Sequence, residues 1–131
     1  MSLSKLIAFI FLLVFFASCS NAEQEALSTI EEQVAKINSK CPITVDSETR
    51  LDGVQLAQGP SLMYKYTLVK VQDITDTVEI KKLLWPGLLA GVRTNSAMAP
   101  LKEAGFTLCY RYQSAAKKYL FTVVIAPKDY K

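Results

Sequence analysis

Apolar residues recur at helical spacing between Ala22 and Ser39, where Leu27, Ile30, Val34 and Ile37 follow at intervals of three, four and three. That stripe predicts an amphipathic helix. Glu23, Glu25, Glu31 and Glu32 crowd its first half and Lys36 and Lys40 its end, the polarity that suits the helix dipole. Cys41-Pro42 stops it, because the residue before a proline is pushed out of helical geometry. The pattern then changes to a period of two. Thr49 to Ala57 and Leu62 to Gln72 read as two strands of a hairpin joined by Gln58-Gly59-Pro60-Ser61, which is turn chemistry. In the second strand Leu62, Tyr64, Tyr66 and Leu68 share one face. In the first, Gly53 shifts the apolar positions from Leu51 to Val54 and Leu56, which predicts a bulge.

Between Thr75 and Gly105 helical spacing returns in Val78, Leu83, Leu84, Leu88, Leu89 and Val92, with Pro86-Gly87 in the middle, so two helical pieces are expected. Trp85 beside that break reads as a core residue. Asn95-Ser96 offers a fresh N-cap, Ala97 to Ala104 a short helix with Pro100 near its start, and Gly105 its terminator. The chain ends in the clearest hairpin, Phe106 to Gln113 and Tyr119 to Ala126, after which Pro127 ends pairing. The predicted architecture is α+β: helix, hairpin, kinked or split helix, hairpin, with helices on one face of a mostly antiparallel four-stranded sheet.

The N-terminus stands apart from this pattern. Leu6 to Ala17 is an unbroken apolar run behind Lys5 and before the small Ser18, too short for a membrane span and right for a signal peptide. The junction Phe16-Ala17-Ser18-Cys19 resembles the lipobox of bacterial lipoproteins, in which an apolar and two small residues precede a cysteine. The resemblance implies that residues 1–18 are removed, that the Cys19 thiol is acylated and that the chain stays on a membrane through its acyl chains. Residues 19–22 then form a short tether at the start of a single domain, 19–131. Ser20 after the cysteine implies the periplasmic face of the outer membrane in a Gram-negative host. The competing readings are an ordinary secretory signal cut near Ser18 or Ala22 and an uncleaved anchor.

Composition narrows the chemistry. The 131 residues contain no histidine, which excludes Ser-His-Asp and Cys-His catalysis and the usual His-containing zinc sites. Three cysteines are too few for an all-thiolate metal centre. No metal is expected. A net charge of +3 and the absence of a glycine-rich phosphate loop give no reason to expect nucleic acid, nucleotide or another cofactor. With Cys19 lipidated, Cys41 and Cys109 are left as a pair, and in an oxidising envelope they are expected to form a disulfide, worth about 4 kcal/mol for a loop of that length.

Three features remain as candidate sites. Ser114-Ala115-Ala116-Lys117 matches the spacing of a Ser-x-x-Lys nucleophile, but it falls in a predicted hairpin loop and lacks the companion motifs. Asp46, Glu48, Arg50 and Asp52 form the densest polar stretch; they fail the EF-hand pattern and read as a solvated loop leading into an ion-paired strand. This stretch, with Pro42, Val45-Asp46 and Thr49-Arg50-Leu51 ahead of a tyrosine-rich strand, resembles small uncharacterised bacterial envelope proteins, and no activity is implied by it. Tyr64, Tyr66, Tyr110 and Tyr112 form one patch if their strands are neighbours, either as core or as a contact surface. Two function classes follow. One is a non-enzymatic envelope lipoprotein that binds a protein partner as an assembly, accessory or inhibitor module, through the tyrosines or the 46–52 loop. The other is a small hydrolase or ligand carrier using carboxylates of that loop.

Overall fold

The computed structural model describes residues 3–131, with side chains from residue 21 onward. Phe16, Ala17, Ser18 and Cys19, which carry the lipobox, lie outside the residues described in side-chain detail. Among the described residues no helix is long and apolar enough to cross a membrane.

The chain runs α1 (Leu3–Lys40), β1 (Ile43–Thr44), β2 (Thr49–Ala57), β3 (Ser61–Leu68), α2 (Thr77–Thr94), a 3₁₀ turn (Ser96–Met98), α3 (Ala99–Glu103), β4 (Thr107–Ser114), β5 (Tyr119–Ile125) and α4 (Pro127–Tyr130). The class is α+β as expected, but the sheet has five strands in the order β1-β2-β3-β4-β5 and is mixed. Both expected hairpins form, β2 with β3 and β4 with β5. The bulge expected at Gly53 is present as a register shift between Leu51 and Gly53. Short β1 adds at the edge against Leu51 and Arg50.

The correction to a mostly antiparallel sheet lies at its centre, where β3 and β4 are parallel. Side-chain alternation is the same in either orientation; the connection decides. The long helical crossover through α2 and α3 brings the chain back to the end of the sheet where β3 began, as a parallel pair requires. The second correction concerns α2, which runs unbroken through Pro86. Asp76 caps its start by accepting from the Glu79 N–H at 2.9 Å, and Ile80, Leu84, Leu88 and Val92 seat it against the core on both sides of the proline. Packing along the whole helix outweighs the lost hydrogen bond at Pro86. The break comes at Asn95, whose side chain accepts from the Ala97 N–H, and Gly105 ends the next piece with a φ of 70°.

All the helices lie on one face of the sheet, with α1 over β2 and α2 over β5. The core beneath them takes alternate residues of four strands, among them Val54, Leu62, Leu108, Phe121, Val123 and Ile125, together with Ile30 and Val92 from the helices. Asn38 locks α1 to the sheet: its amide donates to the Val54 carbonyl and accepts from the Val54 N–H, both at 2.8 Å. Tyr130 closes the other end by donating to the Phe106 carbonyl at 2.8 Å.

Candidate functional site

Because β3 and β4 run parallel and in register, Tyr64 stands beside Tyr110 and Tyr66 beside Tyr112. Their rings stack, with centroids 5.1 Å apart in the first pair and 5.2 Å in the second, and Tyr112 stacks on Phe121 at 4.8 Å. The four tyrosines are therefore one patch, but a buried one. Tyr64, Tyr110 and Tyr112 lie in the core, and Tyr66 is half-buried against it. Burial, joined by the neighbouring phenols, disfavours ionisation throughout. Tyr66, with Cys41 also near, is pushed up to about 12, as is Tyr112, and Tyr64 and Tyr110 go higher still. The helices cover the face that carries these rings, which form a core aromatic ladder rather than an open contact surface; of the four, Tyr64 also lines a groove beside α1.

The 46–52 loop divides into two parts. Asp46 is exposed and its Oδ1 accepts from the Glu48 and Thr49 N–H groups, both at 2.8 Å, a local turn that holds its carboxyl below the usual range. Glu48 is exposed beside it, its carbonyl accepting from the Val69 N–H at 2.9 Å. Arg50 and Asp52 instead join a network on the sheet face that, among the described residues, no helix covers. The Arg50 guanidinium donates to Asp52 at 2.6 Å, the buried Thr67 hydroxyl donates to the other carboxylate oxygen, and the Gln113 amide donates to Thr67 at 2.9 Å. Asp52 is thus engaged by the chain's own donors. The two carboxylates do separate jobs, turn and cross-strand tie, and the arrangement offers no paired-carboxylate centre.

The expected Cys41–Cys109 bridge is absent; both thiols are free. Cys41 follows α1 and packs at the margin of the helix-covered core. Cys109 alternates with the core residues Leu108 and Tyr110 and so faces the opposite side of the sheet. The sheet itself separates them. Burial raises both thiols above their ordinary value, which makes neither a nucleophile. Ser114 is buried and its Oγ accepts from the Ala116 and Lys118 N–H groups at 3.2 Å, so the Ser-x-x-Lys spacing is a β-turn device.

The feature that sequence reasoning missed is an apolar groove of about 350 Å³ beside α1. Ile30, Gln33, Val34 and Ile37 form one wall, Leu62 and Tyr64 the floor, and Ala97, Met98 and Leu101 the other wall. The Tyr64 hydroxyl contacts the Met98 sulfur at 3.6 Å. The groove exists because the α1 stripe extends over several turns, while the 3₁₀ turn and five-residue α3 opposite are too short to cover it. The stripe was legible; the short opposing wall was not. Among the described residues no cluster of acidic or sulfur ligands suits a metal ion.

The chain belongs to the family described as Domain of unknown function (DUF8479), whose model matches residues 21–121. No curated protein matches it. Two solved structures share its fold. A pilotin of the type 2 secretion system of Vibrio vulnificus aligns with a TM-score of 0.65 at 5% identity, over 86% of this chain and 97% of that one. A protein of Pseudomonas aeruginosa described as a candidate secreted protein aligns with a TM-score of 0.62 at 12% identity, over 83% and 96%. At these identities the likeness is one of fold.

Proposed function

We propose that this member of the DUF8479 family is an envelope lipoprotein, held on a membrane by acyl chains on Cys19, whose folded domain is a non-enzymatic accessory module that binds an envelope protein. In this reading residues 1–18 are the signal peptide and residues 19–22 the tether, with the periplasmic face of the outer membrane as its place in a Gram-negative host. The observation that carries the binding role is the apolar groove between α1 and the 3₁₀ turn, lined by Val34, Ile37, Met98 and Leu101. An apolar stripe of a partner protein gains stability by leaving water for such a trough. Fold likeness to a pilotin of an envelope secretion system supports an accessory role.

The carboxylate reading is weaker, since Asp46 and Asp52 are engaged by the chain's own donors and neither lines the groove. The test is photocrosslinking in host cells from a reactive residue placed at Gln33, inside the groove, and at Lys81 on α2 as control. Gln33 is expected to yield an adduct that maps to an apolar segment of an envelope protein and disappears when Ala97→Trp fills the groove at unchanged melting temperature. Equal adducts from Lys81, or adducts that survive Ala97→Trp, overturn the proposal.

A further inference from the structure

The two edges of the sheet are treated differently. At one edge β1 covers Leu51 and Arg50 of β2, and the Asn38 side chain occupies the N–H and C=O of Val54. The other edge is β5, which pairs with β4 alone, and among the described residues no backbone group of Leu120–Ile125 bonds outside that pair. Tyr119–Ile125 contains no charge, no proline and no glycine. Natural edge strands are normally blunted by such residues, by brevity or by a bulge; β5 has a bulge at Leu120, where its register with β4 shifts between Tyr112 and Gln113, but from Phe121 to Ile125 the pairing is regular and that stretch of edge is a template for another strand.

The surroundings state what that strand carries. On the sheet face that no helix covers, Lys65 and Arg111 stand side by side in register on the parallel central pair, both exposed. Like charges directly opposite are unfavourable unless something neutralises them. The nearby acid, Asp52, is bound to Arg50, Thr67 and Gln113. The Arg111 guanidinium lies 4.9 Å from the ring centre of Tyr119, reaching toward β5, where Tyr119 and Val124 are 51% and 47% exposed. Lys117 and Lys128 bracket the strand. A second copy of β5 laid antiparallel on the first sets these lysines against each other, so self-pairing is disfavoured and acidic complement is favoured.

We infer that the outer edge of β5, flanked by Arg111 and Tyr119, is the docking site for an extended protein segment of alternating apolar and acidic residues, which adds to the sheet as a sixth strand. Its acidic side faces Arg111, and its apolar side continues the row of Phe121, Val123 and Ile125. This edge is the opposite end of the sheet from β1, and neither Arg111 nor any residue of β5 lines the groove.

The probe is a short synthetic peptide of alternating valine and glutamate, titrated into the isotope-labelled mature chain and followed by NMR. Shifts are expected at the amides of residues 119–125, with affinity falling about ten-fold in Arg111→Glu, the loss expected of charge reversal beside a docked acidic strand. A peptide of alternating valine and lysine, or one N-methylated along one edge, is expected not to bind. Four results overturn the inference: no binding; shifts that map to the groove; equal binding by either control peptide; or protection of the β5 amides by self-association or by anionic vesicles in place of the peptide. Unchanged melting of Arg111→Glu separates lost docking from lost folding.

Discussion

Removing the Asp52 carboxylate separates a structural tie from a catalytic group. Its ion pair with Arg50 is partly solvated, the two side chains being 41% and 25% exposed, so that contact contributes about 0.5 kcal/mol. The bond from Thr67 counts for more, because Thr67 is 2% exposed and a hydrogen bond to a charged acceptor contributes about 1.5 to 3 kcal/mol. Asp52→Ala is therefore expected to cost about 2 kcal/mol, which for a domain of this size lowers the melting temperature by about 8 °C. Thr67→Val keeps the shape, removes the hydroxyl and is expected to cost about 1.5 kcal/mol. Since both mutations break the same contact, the double variant should fall short of the sum by about 1 kcal/mol. Urea unfolding of the four proteins closes the cycle. Additive losses, or an Asp52→Ala protein as stable as its parent that no longer performs in the cell, would refute the structural assignment and return Asp52 to the list of functional groups.

Further outcomes follow from the same packing. Pro86→Ala restores a hydrogen bond inside α2 and is expected to raise stability by about 1 to 3 kcal/mol; Gly87→Ala, at a helical site with nothing within 4 Å of an added Cβ, should add about 0.5 to 1 kcal/mol. A loss in urea unfolding for either would mean that the helix geometry at that point serves something else. At high pH the buried phenols act: in the unfolded chain they ionise near pH ~10, whereas Tyr66 and Tyr112 wait until about 12 in the fold. Their contribution is whole below the unfolded value and is lost as pH rises toward the folded one, so urea midpoints should fall from about pH 10 upward. Between about pH 10 and 12 tyrosinate absorbance from these rings should appear only with unfolding; its appearance in the intact fold near pH ~10 would contradict their burial. With Cys41 and Cys109 free, reductant should leave the melting temperature unchanged, and a drop of many degrees would restore the disulfide.

Much of the fold was written in local periodicity. The α1 stripe, both hairpins, the Gly53 bulge, the Asn95 cap and the Gly105 terminator each follow from residues within a few positions of one another. Alternation left open whether β3 and β4 run parallel, since Leu62, Tyr64 and Tyr66 share a face either way. Pro86 was read by its local cost, yet the seats of Ile80, Leu84, Leu88 and Val92 on the core hold α2 together across it. The cysteine count cannot show that the sheet lies between Cys41 and Cys109: Cys109 sits out of phase with the core residues Leu108 and Tyr110, while Cys41 packs at the core margin. The tyrosine ladder was legible as a patch once its strands proved neighbours, but its burial depends on where α1 and α2 lie. The groove belongs to three separate segments and has no signature in any one of them.

Lipid attachment at Cys19 underlies the proposed place of this protein on the envelope, and the intact mass of protein extracted from host membranes tests it most directly. The expected species lacks residues 1–18 and carries acyl mass, with two further thiols that alkylate after unfolding without reductant. An unacylated mass, or a full-length chain, would contradict the membrane anchor and with it the assignment to the envelope surface.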